Sequence, residues 1–317
     1  VSTLESPPVV SIPDERTAPP EHKPVSLTTR IVTLAVVVMP FVGLLAAIAS
    51  LWGYGFHWHH AVMLFVGYVL TGFGITVGFH RLFTHKSFET SRPVTFLFGV
   101  LGSMAAEGPL FHWVANHRKH HQHSDDDHDP HSPHHHGEGM WNVIRGAWHA
   151  HVGWLFATEQ AQISRYIMDL RKDRMLRYIN KMFPVWVLLG LLIPSVIGGL
   201  IMMSWTGAFL GLLWGGAVRM FVVHHITWSI NSVCHIWGRR DFRSHDESRN
   251  NTLFGILGLG EGWHNNHHAF PTSARHGLKW WQIDTSYMLI KFMQWTGLAW
   301  KLRTPAPAQI EAKKLTA

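Results

Sequence analysis

Histidine is the most unusual feature of this chain: 26 of its 317 residues are histidine, against 20 aspartates and glutamates together. His80 and His85 stand in Gly-Phe-His-Arg-Leu-Phe-Thr-His, and His117, His120 and His121 in His-Arg-Lys-His-His. His264, His267 and His268 repeat that spacing as His-Asn-Asn-His-His, while Asn231 and His235 lie four apart in Asn-Ser-Val-Cys-His. Offsets of three and four bring side chains to one face of a helix, so each triplet can converge on a common target. Neutral imidazole nitrogen binds iron, zinc, copper and nickel, and many histidines without cysteine suit a metal of intermediate softness. Nine imidazoles exceed what one ion can hold, so two ions are expected to share them. Competing chemistries lack their residues. There is no His-Glu-x-x-His, no Gly-x-Ser-x-Gly, no phosphate loop and no Gly-x-Gly-x-x-Gly. A soluble di-iron bundle would carry paired Glu-x-x-His motifs, and only Glu261 to His264 has that spacing.

The elements that must position these groups read as membrane helices. The chain is 47% hydrophobic and 15% charged, with 16 tryptophans and 18 phenylalanines, which is poor in charge for a soluble surface. Residues 31–52 form an uncharged run of 22 residues, which as a helix measures about 33 Å and crosses a hydrocarbon core of about 30 Å. Residues 61–79, 184–204 and 207–230 are three further runs, the last carrying one charge, Arg219. Short connectors at 53–60 and 205–206 pair the four into two hairpins. Residues 94–106 are too short to cross and read as interfacial. No Lys or Arg lies in either connector, so both hairpin tips are expected outside and both termini inside. The histidine groups then share the inner side, on segments 80–183 and 231–303. The Pro-rich residues 1–30 and residues 304–317 read as flexible tails. A net charge of +7 fits this orientation without nucleic acid, and the single cysteine, Cys234, excludes an internal disulfide.

Other histidines have blander readings. His134, His135 and His136, beside Asp125, Asp126, Asp127 and Asp129, read as a solvated loop. His57, His59 and His60 sit at an outer hairpin tip, away from the rest. His224 and His225 read as buried polar groups near Arg219.

Gly74 to His85, His117 to His121 and Gly260 to His268 resemble the three histidine boxes of the membrane-bound fatty acyl desaturases of the stearoyl-CoA type, and Asn231 to His235 resembles that family's Asn-Ser-x-x-His. Asp129-Pro-His131, His151-Val-Gly-Trp154 and Thr227-Trp228 are similar to smaller signatures, and the likeness runs from about residue 31 to 303. The resemblance implies an all-α integral membrane protein: four transmembrane helices under a cytosolic helical cap holding a histidine di-iron site. The implied ligands are His80, His85, His117, His120, His121, His235, His264, His267 and His268, with Asn231 reaching one iron through water. Trp113, Thr227 and Trp228 match positions that line the bend of the acyl channel. Glu107, Asn116 and Glu261 are expected, from proximity in sequence, to orient imidazoles.

The implied reaction is O2-dependent insertion of a cis double bond into a saturated acyl chain at the delta-9 position, with two iron ions as cofactor. Acyl-CoA is the expected carrier. However, animal enzymes have Gln-Asn and Arg-Asp where this chain has Glu107-Gly108 and Ala115-Asn116, and a basic pair where it has Ala157-Thr158, so an acyl lipid of the bacterial kind stays open. No haem, flavin or cysteine-cluster motif is present, so a separate electron donor of ferredoxin, rubredoxin, cytochrome or flavin reductase type is required, with Arg239, Arg240, Arg243 and Arg249 as its docking face. The expected location is the inner cell membrane, multi-pass. Two other readings compete: a membrane hydroxylase with a similar histidine set, and a histidine-rich metal transporter or sensor. Differently spaced boxes disfavour the first, and the almost wholly apolar first and third spans disfavour the second.

Overall fold

The computed structural model describes residues 26–52, 55–156 and 163–315. Residues 1–25 of the expected tail, Gly53 and Tyr54, and the Ala157-Thr158 pair lie outside them. Among the described residues, four helices are long and apolar enough to cross a membrane: α1 (Leu27–Ser50), α2 (Trp58–Thr84), α7 (Phe183–Met202) and α8 (Trp205–Ile236). Shorter helices build the rest: α3 (Arg92–Met104), α4 (Leu110–His123), α5 (Met140–His151) and α6 (Arg174–Lys181) precede α7, while α9 (Thr252–Leu257), α10 (His264–Ala269), α11 (Thr285–Trp295) and α12 (Pro307–Lys313) follow α8.

Two of the long helices run further than their apolar stretches. The sequence places His80 beyond the second helix and Asn231 and His235 beyond the fourth, but α2 continues to Thr84 and α8 to Ile236. At these ends His80 meets Glu261 and His267, and His235 meets Asp125 and His264, so the extended turns are held by other segments of the chain. From Gly74 to Thr84 α2 also widens into π-helical turns, a feature frequent at functional sites because it re-aims the side chains it carries. Small residues permit this. A Cβ on Gly74 would lie 2.2 Å from the backbone nitrogen of Gly102 in α3, so only glycine lets the two helices approach this closely.

Helix α3, the expected interfacial segment, is wedged beside this wide part of α2, with Phe98, Gly99, Gly102 and Ser103 buried. The Arg219 guanidinium, buried in α8, donates to the carbonyls of Met104 at 2.7 Å and Gly190 at 3.0 Å, tying α3 and α7 to α8. Ile75, Phe79 and Phe83 of α2 form a core with Leu110 and Val114 of α4, Ile179 of α6 and Val223 of α8.

The two halves of the cap are joined by a short antiparallel ribbon pairing Glu89 with Trp300 and Thr90 with Ala299. Residues 304–317, expected to be a flexible tail, contain α12, and its end is anchored: Lys314 pairs with Phe242, and Lys313 Nζ donates to the Ala269 carbonyl at 2.6 Å. Pro307 at the start of α12 presets the helical φ, and these cap contacts fix its far end.

Candidate metal centre

Helix α10 is only six residues long, too short to hold itself in water. Its two asparagines hold it. Asn265 Oδ1 accepts from the backbone of Asp241 and Phe242, both at 2.8 Å, while Asn266 Nδ2 donates to Gln282 Oε1 at 2.8 Å and Asn266 Oδ1 accepts from Asn250 at 2.7 Å. With both amides turned to the cap scaffold, His264, His267 and His268 face α2, α4 and α8. Arg81 fixes α2 in the same way, donating to Asp284 Oδ1 at 2.9 Å and Glu261 Oε1 at 3.1 Å. Asp284 in turn caps α11 through the Tyr287 backbone at 2.9 Å.

The nine histidines named from sequence come together as two groups. His80, His85, His117, His121 and His267 form one, and His120, His235, His264 and His268 the other; within each group one nitrogen per ring lies within 4.8 Å of the rest. Ring nitrogens meet at 3.0 Å between His80 and His267, 2.8 Å between His267 and His121, and 3.0 Å between His235 and His264. Each triplet is divided. The i,i+4 pair His117 and His121 serves one group and His120 the other, while His264 and His268 serve the second group and His267 the first.

Carboxylates hold four rings from behind. Asp125 Oδ2 lies 2.9 Å from His235 Nδ1, Asp129 Oδ1 3.0 Å from His120 Nδ1, and Asp246 Oδ2 2.5 Å from His268 Nδ1; Glu261 is paired with His80 Nδ1. A carboxylate at Nδ1 fixes the tautomer and turns Nε2 inward, as metal-binding histidines require. Accordingly Nε2 of His120 and of His268 is buried with no hydrogen-bond partner. Burial alone would raise these carboxyls, but the facing imidazoles more than offset it and hold Asp125, Asp129, Asp246 and Glu261 below the usual carboxylate range. Burial, reinforced by neighbouring imidazoles, lowers His85, His117, His121, His264 and His267 well below the ordinary value, and burial takes His268 down to about 4. At neutral pH such rings are uncharged, with lone pairs free for a cation.

Of the three residues expected to orient imidazoles, Glu261 stands against one, His80. Glu107 instead accepts from Trp113 Nε1 at 3.1 Å, and Asn116 lies 3.2 Å from His112 Nδ1; neither bonds a clustered histidine. Asp125 and Asp129, read as parts of a solvated loop, are braces, and so is Asp246, which belongs to no motif of the sequence. Asp125 and Asp129 follow His121 by four and eight residues, and Asp129 stands in the Asp-Pro-His signature, but Asp246 lies 11 residues from His235 and 18 from His264, where no spacing selects it. His134 fits the loop reading only in part: it is exposed, but its Nε2 meets the His235 carbonyl at 3.1 Å. His224 is buried as expected, bonding the Ala105 carbonyl at 2.8 Å. Arg240 and Arg249 are paired with Glu247 at 2.9 and 3.1 Å, which reduces the free charge of the expected docking face.

Two cavities meet at the first histidine group. A wide one of about 670 Å³ is lined by Thr28 and Val32 of α1, by Glu107, Trp113 and Asn116, and by Thr227 and Trp228 of α8. A narrow apolar slot of about 60 Å³ runs on between Tyr68, Gly72 and Ile75 of α2 and Val223 and Ile226 of α8. Trp113, His117, Thr227 and Asn231 line both. A long apolar molecule lying through both would pass His117 where it turns from one into the other.

Residues 56–291 match the family described as fatty acid desaturase. The chain belongs to that family. It is 47% identical over 280 residues to the hex-5-enoyl-[acyl-carrier protein] acetylenase of Moorena producens, covering 88% of this chain and 87% of that one. It is 36% identical to the sn-1 stearoyl-lipid 9-desaturase of Synechocystis (79% of this chain, 74% of that one) and 35% identical to the acyl-CoA C20 Delta5-desaturase of Anemone leveillei (82% and 78%). This desaturase is therefore an oxidoreductase of lipid metabolism. A family of di-iron enzymes agrees with two groups of inward imidazoles braced by carboxylates.

Proposed function

We propose that this desaturase inserts a cis double bond near carbon 9 of a saturated long acyl chain, using O2 and two electrons from a separate donor protein. The observation that carries this reading is the meeting of the wide cavity and the apolar slot against the first histidine group. The two groups would each hold one iron, the first through His80, His85, His117, His121 and His267, the second through His120, His235, His264 and His268, with Asn231 beside them at the channel wall. The donor set suits iron: nitrogen ligands, no thiolate and buried Nε2 atoms without partners. Bound there, the iron pair supplies the oxygen activation needed to attack an unactivated methylene, which no side-chain acid or base achieves.

The chain's own residues do the rest. The Trp113 indole stacks on His117, with centroids 5.1 Å apart, and its Nε1 is tied to Glu107, so the wall facing the substrate is fixed. Thr227 and Trp228 form the opposite wall, and the slot beyond excludes water from the reacting methylenes. Each turnover removes two hydrogens from adjacent carbons, takes up two electrons and two protons, and reduces one O2 to two waters.

Four long apolar helices and the distribution of Lys and Arg support a multi-pass protein of the inner cell membrane, with both hairpin tips outside and the histidine groups on the cytoplasmic side. The likeness to an acetylenase supports a second reading, in which the same site acts on an existing alkene to give a triple bond. Gas chromatography with mass spectrometry of fatty acids from cells expressing the chain separates these outcomes. A new monoenoic acid with its bond at carbon 9 is expected; an alkyne would favour the second reading, and a hydroxy acid would overturn both.

A further inference from the structure

Apart from the two histidine groups, His123, Asp126 and His128 form another set whose donor atoms, one from each side chain, lie within 4.8 Å of one another. His123 is the last residue of α4 and is buried, while Asp126 and His128 stand on the loop that follows. The loop is folded around them. The Asp126 amide donates to the His123 carbonyl at 2.8 Å, the His128 amide to Asp126 Oδ1 at 2.8 Å, and the Asp129 amide to the Asp126 carbonyl at 2.9 Å. These bonds bring both rings to one carboxylate, with centroids 5.3 Å apart and planes tilted by 32°.

Hydrogen bonding accounts for only one of the two rings. His123 Nδ1 lies 3.1 Å from Asp126 Oδ2. His128 Nδ1 stands 3.9 Å from Asp126 Oδ1, beyond hydrogen-bond length, and His128 Nε2 is buried with no partner. A cation shared by the carboxylate and both rings satisfies this arrangement. Ligand atoms about 2.0–2.1 Å from a tetrahedral ion stand roughly 3.3–3.4 Å from one another, so the side chains need only small movements to close on one ion. The donor set selects the metal. Calcium and magnesium demand shells of oxygen, and copper(I) prefers sulfur; neither is offered here. Two imidazole nitrogens and one carboxylate oxygen, with water in the fourth position, suit zinc.

We propose that His123, Asp126 and His128 bind a zinc ion, separate from the two histidine groups, that staples the end of α4 to the loop after it. That loop carries Asp125 and Asp129, the braces of His235 and His120, and His128 also lines the wide cavity. The ion thus fixes a segment that serves both the second histidine group and the cavity wall. Asp126 is exposed, so zinc exchanges with solvent without passing the buried clusters.

The test adds zinc alone to the full chain in detergent, after iron loading, and counts both metals per chain by mass spectrometry following equilibrium dialysis. Wild type should hold one zinc more than His128→Ala and one more than Asp126→Asn, with iron equal in all three. His135→Ala, at an exposed position nearby, should match wild type. Because the readout is a difference between variants, it stands whatever metal fills the two histidine groups, and failure of the di-iron reading appears separately, as missing iron. Zinc should also slow hydrogen exchange of the amides of residues 125–129 at least fivefold in wild type and leave it unchanged in His128→Ala. Equal zinc in wild type and His128→Ala, zinc gained only as iron is lost, or displacement of the zinc by excess calcium would overturn the site. Unchanged exchange in zinc-loaded wild type would overturn the staple.

Discussion

His120 and His121 are consecutive in α4, yet their imidazoles belong to different clusters. Successive residues on an α-helix are rotated by about 100°, so neighbours diverge while His117 and His121, four apart, stay aligned. The spacing His-x-x-His-His is thus a device for serving two centres from one turn of helix. His264, His267 and His268 apply it from the opposite side.

Removing one ring from either cluster should stop chemistry without unfolding the protein. We predict that His120→Ala and His267→Ala abolish desaturation and lower the iron content measured by mass spectrometry, while membrane-extracted protein is recovered at wild-type levels. His135→Ala, on the exposed loop, should keep its activity. Equal loss in all three would show that the clusters are not special.

The carboxylate braces make a graded prediction. Asp246→Asn leaves the His268 ligand present but removes its anionic partner, and loss of such partners weakens metal binding roughly 10- to 100-fold. Iron retention during dialysis against a chelator should fall by about that factor, with Asp126→Asn, at an exposed position, unchanged. Retention equal to wild type in Asp246→Asn would remove the bracing role.

Glu107 gives a pH signature. Burial pushes its carboxyl up to about 7 from 4.5, Thr227 and Trp113 offsetting only part of this. The folded protein therefore holds a proton that the unfolded chain releases, and this contribution to stability is lost as pH rises from about 4.5 to about 7. In detergent, the melting temperature should fall less between pH 5.5 and 8 in Glu107→Gln than in the wild type. Parallel curves would contradict the shift.

The close approach of α2 and α3 can be probed at one atom. Gly74→Ala places a Cβ 2.2 Å from the Gly102 backbone and should destabilise by about 1–3 kcal/mol, the usual cost of overpacking. Gly67→Ala, whose nearest neighbour would be Arg219 Cγ at 3.4 Å, should be tolerated. Thermal unfolding of the two variants decides.

Sidedness is open to labelling. With Cys234→Ser as background, a cysteine replacing exposed Gln309 or Lys86 should react with an impermeant maleimide only after the cells are broken. Labelling of intact cells at either position would reverse the proposed topology.

What the sequence determined by itself was local: the four long apolar helices and the helical spacing of the two His-x-x-His-His triplets follow from residue type and period, while the choice of nine histidines among 26 came with the resemblance to the desaturase boxes. The tertiary structure decided everything that depends on which distant segments meet. The extension of α2 and α8 beyond their apolar runs was hidden because hydropathy ends where water is expected, and here other segments replace water around Arg81 and His235. Asp125, Asp129 and Asp246 could not be chosen from among many acids until His235, His120 and His268 were seen against them, since a brace is defined by one contact across up to 110 residues of chain. Glu107 and Asn116 failed as braces for the same reason: nearness in sequence fixes a side chain's position along a helix, while the neighbouring elements determine what it touches. The one-sided packing of α1 is likewise invisible in a uniformly apolar run, because its buried residues Pro40, Gly43 and Ala47 all lie toward one end and nothing in hydropathy distinguishes a helix that packs from one that stands away.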